Sequence, residues 1–279
     1  MTELSYASAI VLGLIQGLTE FLPVSSSGHL VIAQRLLGLD SGAPALLLFD
    51  VVTHLGTLLA VTIVFAGTFG KFVARLAAES SSGYSGRRCA WTVALLGLVA
   101  CIATAAIGLG FKEPLERSFS SIVGTGVGLL ITGTLLFLSG RVARPRRGWR
   151  RIVWWRAFLV GVSQGIAIVP GISRSGSTIC AAIFLGIKRR WAAQFSFLIL
   201  VPAILGAGAI KMGDTFALPP EALSAMPWGA IVVGAAASLA SGVVALRVLL
   251  ALVVTDRLQH FCYYCWGLGA IVVVWGVVG

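Results

Sequence analysis

Charged residues are scarce in this chain of 279 residues. Only 11% of the residues are charged, whereas a soluble globular protein carries about 25%. Only 10 residues are acidic and only 3 are His, against 58% apolar residues and a mean hydropathy of +0.97. This scarcity excludes an ordinary soluble domain and predicts an all-α integral membrane protein. The period-2 alternation of a membrane β-barrel is also missing, and no basic segment at the N-terminus suggests a cleaved signal peptide.

Six apolar runs are long enough to cross a hydrocarbon layer about 30 Å thick as helices. They are the segments 44–66, 90–109, 122–138, 191–210, 228–253 and 261–278. The basic residues fall in short loops between these runs, so the net charge of +11 indicates orientation in a membrane and no nucleic-acid partner. The five cysteines lie mostly within the runs, so we interpret them, including the Cys262-x-x-Cys265 pair, as structural.

Two further segments are apolar but contain a polar interruption. Residues 8–39 are interrupted by PVSSSGH, and residues 156–187 by PGISRSGST. The apolar parts on either side have about 12–15 residues each, which is too short to span a membrane. This pattern predicts two broken, re-entrant helix hairpins. Such backbone is tolerated at membrane depth only where protein buries it or where it lines a wet cavity.

The two interrupted segments match each other without a gap, at an offset of 148 residues. The matching pairs include Gly13 and Gly161, Gln16 and Gln164, Gly17 and Gly165, Ser25 and Ser173, Ser27 and Ser175, Gly28 and Gly176, and Phe49 and Phe197. This internal repeat predicts two halves, each with one hairpin followed by three spans. The halves are residues 1–140 and 152–279, joined by a basic cytoplasmic linker at 141–151.

Loops rich in Lys and Arg alternate with loops that are neutral or acidic. The basic loops lie within 67–90, 139–158 and 188–190, and the positive-inside rule places them in the cytoplasm. The first hairpin then enters the membrane from the outside and the second from the cytoplasm, so the repeat is inverted. Inverted repeats of broken helices place a site near the bilayer midplane. We expect this site to open toward the outer side.

Gln16 and Glu20 are four residues apart and share one face of a helix just before the first interruption. An ionisable group at this depth costs ~3 kcal/mol or more unless it is paired. Glu20 should therefore face a cation, a metal ion or His29. A protonated Glu20 that bonds to a neighbouring helix is the structural alternative.

The two serine- and glycine-rich turns suit an anion. A turn of this kind that leads into a helix presents backbone N–H groups and a positive dipole end, and Arg174 adds a planar donor fork that fits phosphate. Serines in membrane helices also often bond only to a carbonyl of the preceding turn. His29 is suited to act as a base or acid. Asp50 and His54 either line the same cavity or form a buried polar pair, and we favour the pair.

These residues alone indicate a membrane site for an anion, flanked by a carboxylate and an imidazole. Two classes of protein fit. One is a phosphatase that acts on a lipid phosphate. The alternative is a transporter or flippase of a lipid phosphate or other anion, because inverted repeats with broken helices are a transporter architecture. Phosphate release by protein purified in detergent distinguishes them, since hydrolysis needs no gradient.

The motifs QGLTEFLPVSSSGH and PGISRSGST resemble the two signature motifs of the undecaprenyl-diphosphate phosphatase family of the bacitracin-resistance type. The resemblance covers essentially the whole chain. It implies hydrolysis of the C55 isoprenoid lipid undecaprenyl diphosphate to the monophosphate and inorganic phosphate in the bacterial plasma (inner) membrane. This reaction recycles the lipid carrier of peptidoglycan synthesis and confers bacitracin resistance. The resemblance also implies a divalent metal, Mg²⁺ or Ca²⁺, and the sequence is compatible with a homo-oligomer.

Carried onto this chain, the family pattern marks Glu20, Ser25, Ser26, His29, Ser173, Arg174 and Thr178. The catalytic residues that we expect are Glu20, Ser26, His29 and Arg174. The phosphate ligands that we expect are Ser25, Ser27, Ser173, Arg174, Ser175 and Thr178.

The roles that we assign to these residues follow their chemistry. Ser26 is the expected nucleophile, with His29 as its base and later acid. The alternative is a water molecule activated by His29 or Glu20, with Ser26 only a ligand. Glu20 and Gln16 are the expected metal ligands. The family motif has Glu or Gln at the first of these positions, and the neutral Gln16 removes one charge from the expected metal site.

Overall fold

The computed structural model describes residues 4–40, 42–81, 84–111, 121–142, 147–148, 152–254 and 257–278. Side chains are described for all of these residues except 65–90, 93 and 253–254. The helices within these residues are α1 (Tyr6–Phe21), α2 (Ser26–Leu36), α3 (Pro44–Ser81), α4 (Tyr84–Gly110), α5 (Ile122–Arg141), α6 (Trp154–Ile166), α7 (Arg174–Phe184), α8 (Arg189–Phe216), α9 (Pro220–Ser224), α10 (Trp228–Val254) and α11 (Phe261–Val278). A 3-10 turn, Leu258–His260, precedes α11. The described residues contain no β-strand beyond one isolated bridge between Arg147 and Ile187.

Among the described residues, five helices are long and apolar enough to cross a membrane. These segments are Pro44–Val64, Ile122–Arg141, Arg189–Phe216, Trp228–Leu252 and Leu258–Val278. The sixth predicted run, 90–109, lies in α4, whose apolar part Ala94–Gly110 is shorter. The prediction of an all-α membrane protein is confirmed. The thiols of Cys180, Cys262 and Cys265 are free and buried, as their structural interpretation requires.

Each predicted interruption lies between two short helices that contact each other. α2 and α7 have 11 residues each, or about 17 Å at 1.5 Å per residue, which is about half of the hydrocarbon thickness. α1 contacts α2, and α6 contacts α7. The hairpins thus occupy residues 6–36 and 154–184, close to the predicted 8–39 and 156–187. Their entry from opposite faces of the membrane stays a prediction.

Local sequence explains where these short helices end. α1 ends at Phe21, and Leu22 is extended, because a residue before a proline, here Pro23, is disfavoured in the helical region. The second helix of each hairpin is followed by a glycine with positive φ, 67° at Gly38 and 79° at Gly186. A left-handed glycine of this kind is a common helix terminator. These two glycines are also separated by the repeat offset.

The first helix of each hairpin packs on a helix of the other half. α1 packs against α10, and α6 packs against α4. A Cβ atom at Gly17 of α1 would lie 2.7 Å from the backbone nitrogen of Gly242, and one at Gly161 of α6 would lie 2.6 Å from the Cα of Ala100. Glycines at these faces let the helix backbones approach closely, which is how membrane helices associate. The hairpins are thereby fixed to opposite halves of the chain.

We predict that Gly17→Ala destabilises the protein while Gly206→Ala does not. The added methyl at Gly17 meets backbone atoms, whereas no atom lies within 4 Å of a Cβ at Gly206 in α8. Overpacking of this kind costs about 1–3 kcal/mol, which corresponds to a loss of roughly 3–10 °C in melting temperature. Thermal unfolding in detergent measures both variants. Equal melting temperatures for the two would show that α1 and α10 are not closely packed.

Candidate active site

The turns of the two hairpins pack reciprocally against each other. A Cβ at Gly28, in the first turn of α2, would lie 2.9 Å from the backbone nitrogen of Gly171 in the second hairpin. A Cβ at Gly176, in the first turn of α7, would lie 3.4 Å from the Cβ of Pro23 in the first hairpin. The N-termini of α2 and α7 therefore come together. Two positive dipole ends that meet in this way favour an anion between them.

Serine caps the N-terminus of each of these helices. The hydroxyl of Ser25 accepts from the backbone N–H of Gly28 at 3.3 Å, and that of Ser173 accepts from Gly176 at 3.0 Å. The caps are equivalent, but their backbones differ: φ is 69° at Ser25 and −71° at Ser173. Ser25 is the only non-glycine residue with positive φ in the described chain. Such a conformation costs of order 1–3 kcal/mol, and it precedes Ser26 directly.

The carboxylate of Glu20 is buried at this junction and gathers partners from both hairpins. It accepts hydrogen bonds from Nε2 of Gln16 at 2.9 Å and from Oγ of Ser26 at 2.6 Å. It also forms an ion pair with the guanidinium of Arg174 from the second hairpin. The side chain of Arg174 is 22% exposed, whereas that of Glu20 is fully buried. Arg174 thus compensates the buried charge and still faces an opening.

His54 of α3 is a further neighbour of Glu20. Its Nε2 lies 3.5 Å from Oε2 of Glu20, and its Nδ1 lies 2.6 Å from the backbone oxygen of Asp50. The carboxylate of Asp50 instead accepts from Nε2 of Gln34 at 3.0 Å. The sequence favoured a buried polar pair of Asp50 and His54, but the structure places His54 against the Glu20 site. The spacing of Asp50 and His54 in the sequence singled out His54 but did not reveal its contact with Glu20.

His29 lies one turn into α2, and both of its ring nitrogens have partners. Nδ1 lies 2.7 Å from the backbone oxygen of Ser25, and Nε2 lies 2.7 Å from the hydroxyl oxygen of Tyr264 in α11. The hydroxyl of Ser26 donates to Glu20. In this structure the proton acceptor nearest Ser26 is therefore a carboxylate. The role of His29 as a base stays a prediction, and no sequence signal pointed to Tyr264.

Most of the other hydroxyls that were expected to bind phosphate are engaged within the protein. Oγ of Ser173 lies 3.2 Å from Oγ of Ser175, which itself donates to the backbone of the first hairpin at Leu22. Oγ1 of Thr178 donates to the backbone oxygen of Arg174 at 2.8 Å and lies 2.6 Å from Oγ of Ser196. Together with a 3.4 Å contact between Ser25 and Ser27, these bonds hold the turns in shape. Phosphate contact by these hydroxyls stays a prediction.

The described residues supply few ligands for a divalent metal. Within them, no group of three or more His, Cys, Asp and Glu side chains is arranged to hold a metal ion. Glu20 offers one carboxylate, and Oε1 of Gln16 beside it is buried without a hydrogen-bond partner. Mg²⁺ is commonly held by one or two carboxylates together with substrate phosphates. Glu20 and Gln16 therefore fit a metal ion only in company with a diphosphate.

Comparison with known proteins gives a consistent result over nearly the whole chain. The family described as Bacitracin resistance protein BacA matches residues 9–271. An undecaprenyl-diphosphatase of Desulfatibacillum aliphaticivorans is 43% identical over 96% of this chain and 98% of its own length. Proteins of the same name from Carboxydothermus hydrogenoformans and Methanosphaera stadtmanae are 39% and 33% identical, over 97% and 99% of both chains.

We predict that replacing Arg174 is costly only while Glu20 keeps its charge. Arg174→Gln leaves a buried carboxylate without its cation, which costs about 3–5 kcal/mol. Glu20→Gln in the same chain removes that charge, so the double variant should melt at a higher temperature than Arg174→Gln alone. Arg190→Gln, at an exposed position, is the control and should melt like the wild type. Strictly additive losses in detergent melting would mean that the two side chains are not coupled.

Proposed function

Because this chain belongs to the Bacitracin resistance protein BacA family, we propose that it hydrolyses undecaprenyl diphosphate to undecaprenyl phosphate and inorganic phosphate. The names of its relatives support this reaction. The observation that carries the proposal is the hydroxyl of Ser26 on the carboxylate of Glu20, beside Arg174 and two helix N-termini. The three relatives bear the name of a phosphatase and not of a transporter, so the transporter alternative gains no support.

Arg174 and the N-termini of α2 and α7 bind the diphosphate. A guanidinium has five N–H donors in a fixed fork, and Arg174 directs only part of that fork at Glu20. The remaining donors are free to take phosphate oxygens in the partly exposed region of the site. Backbone N–H groups at the first turn of a helix can bind an anion in addition. Phosphoryl transfer requires mainly such positioning and charge stabilisation.

Ser26 attacks the terminal phosphorus, and Glu20 receives its proton. The hydroxyl of Ser26 donates to Oε2 of Glu20 at 2.6 Å, so a proton acceptor lies within hydrogen-bond reach of the nucleophile. The new bond joins Oγ to phosphorus while the bridging P–O bond breaks, and undecaprenyl phosphate leaves. A water molecule then attacks the phosphoserine: its oxygen bonds to phosphorus, the Oγ–phosphorus bond breaks, Oγ of Ser26 takes back the proton held by Glu20, Glu20 accepts the proton that the water loses, and inorganic phosphate leaves. Glu20 thus takes the base role that the sequence had assigned to His29.

A divalent metal, Mg²⁺ or Ca²⁺, belongs to this proposal. When bound, it would neutralise charge on the diphosphate oxygens. Glu20 and Oε1 of Gln16 are the residues that would hold it. Glu20 is buried at the meeting point of the hairpins, so the chain offers a ligand where the phosphate is expected.

The cellular role follows from the reaction and the membrane setting. Hydrolysis of the diphosphate recycles the lipid carrier of peptidoglycan synthesis and removes the target of bacitracin, which supports resistance. We place the protein in the bacterial plasma membrane with the site toward the outer side. The support for this orientation is the distribution of Lys and Arg among the loops.

Phosphate release from undecaprenyl diphosphate by protein purified in detergent tests the chemistry. Wild type should release phosphate with added Mg²⁺ or Ca²⁺ and stop in a chelator. Ser26→Ala should lose at least about 10³-fold in kcat, as loss of a nucleophile does, and should trap no phosphoserine. Ser163→Ala is the control, because in the part of the chain that the structure describes that hydroxyl bonds only within its own helix, to the backbone of Val160. Substantial turnover by Ser26→Ala would favour activated water, and turnover unaffected by chelation would remove the metal from the proposal.

Cysteine labelling in intact cells tests the orientation. Gly42→Cys, in the loop after the first hairpin, should react with a membrane-impermeant maleimide. Gly148→Cys, in the basic linker, should react only after the membrane is permeabilised. Both glycines have room for a side chain, so neither change should disturb the fold. The opposite labelling pattern would place the site on the cytoplasmic side.

A further inference from the structure

Tyr264 connects the last helix of the chain to the first hairpin. Its hydroxyl oxygen lies 2.7 Å from Nε2 of His29, although the two residues are 235 positions apart. The rings are stacked, with centroids 5.7 Å apart and planes 8° from parallel. Tyr264 is 49% exposed, so the contact lies at the edge of the site and not in the core.

The partners of His29 determine the direction of these hydrogen bonds. The backbone oxygen of Ser25 can only accept, so Nδ1 of His29, 2.7 Å away, carries a proton and donates it. In a neutral imidazole Nε2 then bears the lone pair. The hydroxyl of Tyr264 donates to that lone pair. The chain of bonds therefore runs in one direction, from Tyr264 through His29 to the backbone of Ser25.

This chain of hydrogen bonds ends at Ser25, the residue of the site whose backbone has a positive φ. The carbonyl of Ser25 accepts from the ring of His29 and also from its backbone N–H at 3.2 Å. Ser25 has a φ of 69°, which a non-glycine residue adopts only when its surroundings hold it there. The next residue is Ser26, whose hydroxyl must stay aligned with Glu20. A rigid imidazole at His29 fixes the position of that carbonyl.

We propose that Tyr264 is a positioning residue of the active site, which acts through His29 and Ser25 to hold Ser26 in its attacking position. This inference rests on the proposed function. It concerns the hydroxyl of Tyr264 and not its ring, because stacking on His29 does not orient Nδ1 toward one acceptor. The C-terminal helix thereby contributes to chemistry that the two signature motifs carry.

The test compares Tyr264→Phe with Tyr263→Phe. Tyr264→Phe keeps a ring that can stack on His29 and removes only the hydroxyl. Tyr263 is the matched control, because it is 65% exposed, its ring meets that of Trp266, and in the described part of the chain no hydrogen bond involves its hydroxyl. We expect Tyr264→Phe to lower kcat about tenfold, or ~1.4 kcal/mol, with KM within about twofold of wild type. Tyr263→Phe should match wild type in both constants.

A second background shows whether Tyr264 acts through His29. His29→Gln should lower kcat. Adding Tyr264→Phe to His29→Gln should change kcat by less than about twofold, because the hydrogen bond from Tyr264 to His29 is already lost. An undiminished tenfold loss in that background would overturn the proposal. If His29→Gln has no measurable turnover, Tyr264→Phe alone decides.

Rates are taken per molecule of monodisperse protein, and melting temperatures are measured in parallel. A Tyr264→Phe protein that melts earlier but keeps the wild-type kcat has lost only packing, and that result would contradict the proposal. Wild type that releases no phosphate in the presence of a divalent metal would instead contradict the proposed function. The two failures are therefore distinguishable.

Discussion

The ion pair between Glu20 and Arg174 is the interaction on which the site depends. A carboxylate buried in apolar surroundings is costly unless a cation and hydrogen bonds compensate it. Gln16 and Ser26 supply hydrogen bonds from the same hairpin, but the cation comes from the other hairpin. Among the described contacts of Glu20, the guanidinium comes from the second hairpin and not from the first. The pair therefore fixes the distance between the two turns, and with it the place where two helix N-termini meet.

Close approach of the backbones makes that pairing geometrically possible. Gly28 lies against Gly171, and Gly17 lies against the backbone of α10. A side chain at Gly28 would push the hairpins apart and separate the carboxylate from the guanidinium, and one at Gly17 would push α1 away from α10. The glycines thus allow the helix backbones to approach closely, and the buried ion pair of Glu20 and Arg174 makes that approach favourable. The resulting junction is polar inside and apolar outside, which suits a substrate with a diphosphate head and a hydrocarbon tail.

The sequence predicted the parts of this site that are encoded locally. Proline, glycine and serine mark both interruptions, and the 148-residue offset pairs Ser25 with Ser173, which the structure shows as equivalent helix caps. The offset does not reveal that their backbones differ, because φ depends on what packs around each turn. Tyr264 was missed as a partner of the site, and for His54 the sequence offered the site only as the less favoured alternative. Their contacts arise from how α3 and α11 pack, and no local pattern encodes such long-range packing.

The distance between Glu20 and Arg174 along the chain has a consequence for biosynthesis. The two residues are 154 positions apart, and chains grow from the N-terminus at about 5–20 residues per second. Roughly 8–30 s therefore pass between the synthesis of Glu20 and that of its cation. During that interval Glu20 must stay protonated or in contact with water, since an unpaired carboxylate is unstable in lipid. A chain truncated before the second hairpin never gains Arg174, so Glu20 keeps no cation from that hairpin and the junction of the two turns cannot form.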